Sequence, residues 1–219
     1  MRSSNTELGN VVILGDSYST FEGYIPEGYG SWYKPNATYT DVQDVSDTWW
    51  HTLLSRTRSR LLLNCSWSGS TVCNTGYDGE DFSSWSFITR FRNLKNSGFF
   101  EKNHVDTFVI LGGLNDFWAG APTGEIKYEG ITGEDLYSFL PALCALLSEA
   151  KSVLPNARIL FIGEEYIDRE LKDKFAKICS HVGIEYLELK GVSKKEAHPD
   201  KAGMQTIADQ VLGYFESND

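Results

Sequence analysis

Residues 11–17 read VVILGDS, and the way this run ends decides how the rest of the chain is read. Four apolar residues, Val11–Leu14, have the length and composition of a buried strand. They stop at Gly15, Asp16 and Ser17. Ser17 is then either a nucleophile held at a strand end or a polar residue in an ordinary turn.

Four more short apolar runs resemble the first. They are Leu61–Cys65, Thr107–Leu111, Arg158–Ile162 and Ile184–Leu189, each bounded by Gly, Asn or charged residues. Helical patterns lie between them. Asp47 is a candidate N-cap for residues 48–58. Thr132 or Gly133 opens a helix with apolar positions Leu136, Phe139, Leu140, Leu143 and Leu147, running to about Val153 before Pro155. Asp168 to Val182 is a helix closed by Gly183, and the last helix runs from Asp200 to about Phe215, with Pro199 at its start. A further helical stretch covers Phe87–Asn96. Alternating strands and helices imply a mostly parallel sheet covered on both faces. The expectation is one α/β domain over residues 1–219, with residues 1–9 a flexible N-terminus.

Composition excludes several classes. The chain has 219 residues, enough for one sizeable core, and a net charge of -10. No basic stripe suits nucleic acid, and the charge disfavours an anionic membrane surface. No apolar run is long enough to span a bilayer. The start, MRSSNTELGN, lacks an apolar leader segment. A complete chain is therefore expected in the cytoplasm, and one that has lost a leader outside the cell. Cys65, Cys73, Cys144 and Cys179 show no CxxC spacing and read as reduced thiols, with a Cys65–Cys73 bridge the alternative. Four scattered histidines give no metal-ligand pattern, so neither a metal nor another cofactor is expected.

Ligand sites in such sheets lie beyond the carboxyl ends of the strands. Gly15-Asp16-Ser17 follows the first run, and NCSWSGST, residues 64–71, ends the second and carries Gly69. GGLND, residues 112–116, follows the third and carries Asn115 and Asp116. AHPDKAG, residues 197–203, precedes the last helix and carries His198. A serine hydroxyl needs a base within hydrogen-bond reach, and His198 suits that part. Attack on an acyl carbon creates an oxyanion that needs fixed donors. The N–H groups of Ser17 and Gly69 and the amide of Asn115 can supply three, and Gly69 has no side chain to block approach.

These blocks, in this order, resemble those of the SGNH hydrolases, also called GDSL-type esterases, from about Val11 to Leu212. The resemblance implies a flavodoxin-like α/β/α sandwich with a five-stranded, mostly parallel sheet. It also implies ester hydrolysis through an acyl-enzyme, with Ser17 as nucleophile and His198 as base. Gly69 and Asn115 join the Ser17 amide as the oxyanion hole, with Asp16 and Asp116 in supporting places. One departure stands out. The family usually places an aspartate three residues before the histidine, and here that residue is Lys195. A lysine cannot accept a hydrogen bond from imidazole. A backbone carbonyl near Lys195 is the favoured orienter of His198. The carboxylates of Glu196, Glu164 and Glu165 are alternatives.

The stretch after Ser17 carries Tyr18, Phe21, Tyr24, Tyr29, Trp32, Tyr33 and Tyr39, and residues 72–85 and 117–130 add further aromatics among glycines. Such long loops are functional or disordered, and this composition is too aromatic for disorder. The rings either pack as a local core or line a groove for a sugar. Tyr18, Tyr24, Trp32 and Trp118 are the candidates for substrate contact. The loops are short of Leu, Ile and Val, which favours short acyl groups, O-acetyl on carbohydrates among them, over long chains. The expected partner is thus a small-molecule or glycan acyl ester. A thioesterase or lysophospholipase of the same fold is one alternative, and a non-catalytic carbohydrate-binding protein on this scaffold is another.

Overall fold

The computed structural model describes residues 6–218. In chain order its elements are β1 (Asn10–Gly15), α1 (Trp49–Thr57), β2 (Arg60–Ser66), α2 (Phe87–Asn96), α3 (Phe99–Lys102), β3 (Thr107–Leu111), α4 (Leu114–Trp118), α5 (Phe139–Val153), β4 (Arg158–Gly163), α6 (Arg169–Val182), β5 (Glu185–Glu188), β6 (Lys194–Lys195), β7 (His198–Pro199) and α7 (Lys201–Ser217). The five long strands form one sheet in the order β2-β1-β3-β4-β5, and every neighbouring pair is parallel.

This order explains the layers. The chain moves one way from β1 to β2 and the other way from β2 to β3 and onward. Right-handed crossovers then put helices on opposite faces. Helices α1 and α7 pack together on one face, and α5 packs against both α2 and α6 on the other. The central strands are covered on both sides, so Val11–Leu14 and Phe108–Leu111 are all buried. Edge strands β2 and β5 keep half-buried residues. The strand order reverses between β1 and β3, which opens a crevice at their carboxyl ends.

All five strands predicted from sequence are present, as is the helix at Phe87–Asn96. Two boundaries differ. Thr48, not Asp47, caps α1, because Asp47 closes a capping box with Asp44 on the preceding 3₁₀ turn. Helix α5 starts at Phe139 rather than near Thr132. Asp135 folds back onto the Thr132 N–H and hydroxyl, and Ser138 is extended. Pro141 then sits in the first helical turn, where no N–H is needed. The N-terminus is not free as far as it is described: Leu8 is buried, accepts from the Thr107 hydroxyl and donates to Ser59 Oγ. Residues 1–5 of that expected flexible segment lie outside the described residues. All four cysteines are free and buried, so Cys65 and Cys73 are not bridged.

The short β6–β7 hairpin is a feature the periodicity did not predict. Gly203, in the first turn of α7, fits beneath it. A Cβ there would lie 2.0 Å from the Ser193 carbonyl oxygen. Gly→Ala in a helix ordinarily gains about 1 kcal/mol. Here the sign reverses: Gly203→Ala will lower the melting temperature in a thermal scan and reduce activity by displacing the hairpin that carries His198.

Candidate active site

Ser17 lies two residues beyond the end of β1 and begins a 3₁₀ turn that Asp16 caps by accepting from the Tyr18 N–H. The turn is pinned from several sides. Trp50 Nε1 and Asn64 Nδ2 both donate to the Ser19 carbonyl, at 3.0 and 2.7 Å. Gly15 is required by close packing, since a Cβ would lie 2.7 Å from both Ser19 Oγ and Ser66 Oγ. The Ser17 N–H, at the start of the turn, donates to no other group among the described residues.

After β2 the chain turns at Trp67–Ser70, where the Ser70 N–H donates to the Trp67 carbonyl. Gly69 occupies the left-handed region with φ +78°, and nothing lies within 4 Å of where a Cβ would be. Its N–H donates to no other described group. After β3, Asn115 lies on α4 and its Nδ2 donates to the Ser70 carbonyl at 3.0 Å. A carbonyl only accepts, so this contact assigns the amide and leaves Oδ1 facing the Tyr77 hydroxyl, which donates at 2.6 Å. The second Nδ2 hydrogen is thereby held in a fixed direction. Asp116 accepts from the N–H groups of Val72 and Cys73, tying the loop after the Gly69 turn to α4.

The β6–β7 hairpin delivers His198. Its Nε2 lies 2.9 Å from Ser17 Oγ, and its Nδ1 lies 2.8 Å from the Glu196 carbonyl oxygen. That carbonyl can only accept, so Nδ1 carries the hydrogen and Nε2 presents its lone pair to the serine. The orienting group is a backbone carbonyl of the expected kind, but it belongs to Glu196, not Lys195. Lys195 lies across the hairpin from His198 as its strand partner. The Glu164 carboxylate goes instead to Lys194 Nζ at 2.9 Å, and Glu165 accepts from the N–H groups of Gly191 and Val192. The hairpin loop supplies the geometry. Glu196 and Ala197 both have positive φ, 49° and 60°, as a two-residue hairpin turn of the mirror-image type demands. Neither is glycine, so the turn is strained, by about 1–2 kcal/mol per residue.

Neighbouring rings hold the imidazole. Trp32 stacks flat on it, with ring centroids 3.6 Å apart and planes 9° apart. The Tyr18 hydroxyl donates to the Ala197 carbonyl and the Tyr33 hydroxyl to that of Pro199, both at 2.8 Å. This corrects one of the four expected substrate contacts: Tyr18 is buried and braces the hairpin. Trp32 is half-buried and gives one ring face to His198. Tyr24 and Trp118 remain exposed, at 48% and 43%.

Burial sets the charges here. Desolvation raises the Asp16 carboxyl to about 7, with Glu164 adding to the rise and Arg90 opposing it. Burial likewise lifts Asp116 to about 6, against its two N–H donors. Burial lowers His198 from 6.5 to about 4; the Glu196 carbonyl opposes that shift and Lys194 adds to it. No carboxylate on Nδ1 raises it again. Among the described residues no group of three His, Cys, Asp or Glu side chains is placed to hold a metal. No described helix is long and apolar enough to cross a membrane.

The sequence profile of the family described as GDSL-like lipase/acylhydrolase matches residues 9–215. The chain belongs to that family. Two solved GDSL-like lipases are close in structure. One, from Bacteroides ovatus, is 40% identical, with TM-score 0.87 over 97% of this chain and 100% of that one. The other, from Bacteroides uniformis, is 42% identical, with TM-score 0.88 over 95% and 96%. A family two carbohydrate esterase from Clostridium thermocellum, solved with cellohexaose, shares the fold at 17% identity and TM-score 0.65, over 100% of this chain and 66% of that one. No curated protein matches the sequence. Membership in the GDSL-like family supports hydrolase activity for this chain.

Sequence reasoning missed Tyr77, whose only signal is its place in an aromatic loop. It also missed Arg90, which does carry one. Arg90 falls on the stripe of Phe87, Phe91 and Leu94 at helical spacing, where an arginine is out of place.

Three outcomes follow. Glu196→Gln will lose under about tenfold in turnover, because only the main chain of Glu196 meets His198; a loss of several hundredfold would assign the carboxylate a direct part. Tyr77→Phe frees the Asn115 amide to rotate and will lower kcat about tenfold at little change in KM, read by steady-state kinetics. A histidine titrating near 4 stays a neutral base down to mildly acidic pH. The acid limb of kcat/KM will therefore fall near pH 4, where an ordinary histidine gives about 6.5.

Proposed function

We propose that this GDSL-like hydrolase is a serine esterase for short acyl esters, O-acetyl groups on carbohydrates in particular, working through a Ser17–His198 dyad. The observation that carries the reading is the 2.9 Å contact of Ser17 Oγ with the lone-pair nitrogen of a correctly oriented imidazole. His198 Nε2 takes the serine proton as Oγ attacks the acyl carbon. The carbonyl oxygen becomes an oxyanion held by the Ser17 and Gly69 N–H groups and the remaining Asn115 Nδ2 hydrogen. The imidazolium returns the proton to the leaving alcohol. Water then repeats the sequence on the acyl-enzyme. Trp32 stacks where imidazolium charge develops, and its ring face favours that charge.

The preference for short acyl groups and sugars rests on the surface chemistry. The large apolar side chains exposed among the described residues are Tyr24, Phe117, Trp118, Tyr137 and Tyr166, all aromatic and none aliphatic. Aromatic faces suit sugar rings, whereas a long acyl chain wants an aliphatic channel. A hollow of about 480 Å³ is lined by Glu22, Ile25, Pro26, Glu27, Tyr29 and Lys34. Gly30 accepts from the Ser68 N–H, and the Tyr29 ring packs 4.3 Å from Trp67. The Gly69 turn thus lies, through Gly30 and Tyr29, against the segment that walls this mixed polar and apolar space, which we assign to the alcohol.

Hydrolysis of an aryl acetate by wild type and Ser17→Ala tests the mechanism: wild type turns over and the variant does not. Acetate release from acetylated oligosaccharides, set against aryl esters of increasing chain length, tests the substrate. Faster cleavage of long-chain than of acetyl esters would refute the sugar-acetate reading.

A further inference from the structure

Arg90 is 1% exposed, and no carboxylate pairs with it among the described residues. Other arginines of the chain do have acidic partners: Arg56 meets Asp209, Arg92 meets Glu149 and Arg169 meets Asp173. A buried charge costs several kcal/mol of desolvation, and Arg90 has no salt bridge to offset it. Its planar fork is spent on neutral acceptors instead. Nε donates to the Trp85 carbonyl at 2.9 Å, and Nη1 to the Cys65 carbonyl. Nη2 donates to the Gly15 carbonyl at 3.1 Å and to Ser70 Oγ at 2.8 Å. The guanidinium carbon lies over the Phe87 ring, 4.6 Å from its centroid.

Three of the four acceptors lead to an oxyanion donor. Gly15 is the last residue of β1, two before Ser17. Cys65 lies near the end of β2, before the turn that carries Gly69. Ser70 ends that turn, its hydroxyl closes it by donating to the Trp67 carbonyl at 2.7 Å, and its own carbonyl fixes the Asn115 amide. One guanidinium therefore joins the ends of β1 and β2 and, through Ser70, the residue after β3.

We propose that Arg90 is a positioning residue of the oxyanion hole: its fork sets the Ser17, Gly69 and Asn115 donors relative to one another. Its unpaired positive charge beneath them also favours the anion they receive. The facing groups fit this. Asp16, Cys65 and Tyr29 are the titratable neighbours that act on the guanidinium, and burial pushes the first two toward their neutral forms. Burial thus weakens the negative charge that faces the arginine before the oxyanion forms. The cost of burying the charge then falls on the resting enzyme, and its return appears in the transition state.

This inference rests on the serine-esterase reading, and the experiment separates the two. Wild type, Ser17→Ala, Arg90→Lys, Arg90→Met and Ser70→Ala are compared on an aryl acetate, with circular dichroism and melting temperature as the check on folding. An alkyl boronate, which forms a tetrahedral anion on an active serine, serves as transition-state mimic. Arg90→Met is expected to lose about a hundredfold in kcat with KM within about threefold, as for loss or misplacement of an oxyanion donor. Its boronate affinity should fall in parallel, a change that a merely structural residue would not produce. Arg90→Lys, which keeps the charge but not the fork, should recover about tenfold of that loss. Ser70→Ala should lose about tenfold in kcat alone. A folded Arg90→Met with near-wild-type kcat, or one raised only in KM, overturns the proposal. If Arg90→Met does not fold, unchanged kcat in both Arg90→Lys and Ser70→Ala overturns it as well. A wild type that fails on the aryl acetate, or a fully active Ser17→Ala, defeats the esterase reading and this proposal with it.

Discussion

The parallel pairing of β1 between β2 and β3 is the constraint on which the site depends. It brings three strand ends to one edge in register, Gly15 beside Ser66 on one side and Leu111 on the other. The turns that follow must then lie side by side. Ser17, Gly69 and Asn115 come from positions far apart in the chain, yet each lies within a few residues of a strand end. Only the histidine is brought by a different device, the β6–β7 hairpin ahead of α7.

That hairpin replaces the missing aspartate with geometry. A two-residue loop in the left-handed region turns the Glu196 carbonyl back onto His198 Nδ1. Local strain is offset by contacts on every side: Trp32 on the ring, Tyr18 and Tyr33 on the flanking carbonyls, and the Lys194–Glu164 pair at its base. Glu164 is buried, so this pair is costly as well as binding. A carbonyl sets the tautomer as a carboxylate would, but it carries no full charge to stabilise the imidazolium. Burial then dominates, and the imidazole stays neutral to lower pH.

Much of this was legible in the chain itself. The five strands read directly, because buried parallel strands are short apolar runs with few rivals. The GDS, Gly69, GLND and His-Pro blocks read because each follows or precedes an element whose end is clear. The aromatics read less well. Tyr18 looked like a substrate contact because composition cannot say which ring faces solvent and which braces the hairpin. Tyr77 was hidden in a loop without periodicity. Arg90 broke the apolar stripe of α2 visibly, but three of its four acceptors are backbone carbonyls, which no side-chain pattern reveals.

The sequence by itself determined the strand and helix order, the residue types at the strand ends and the absence of an aspartate at position 195. Those are local properties, carried by hydrophobic run length, capping residues and turn formers. Only the tertiary structure decided which carbonyl orients His198, which amide hydrogen of Asn115 is left free and what a buried arginine holds. These depend on distances between segments up to 181 residues apart, and on backbone oxygens that every residue carries alike.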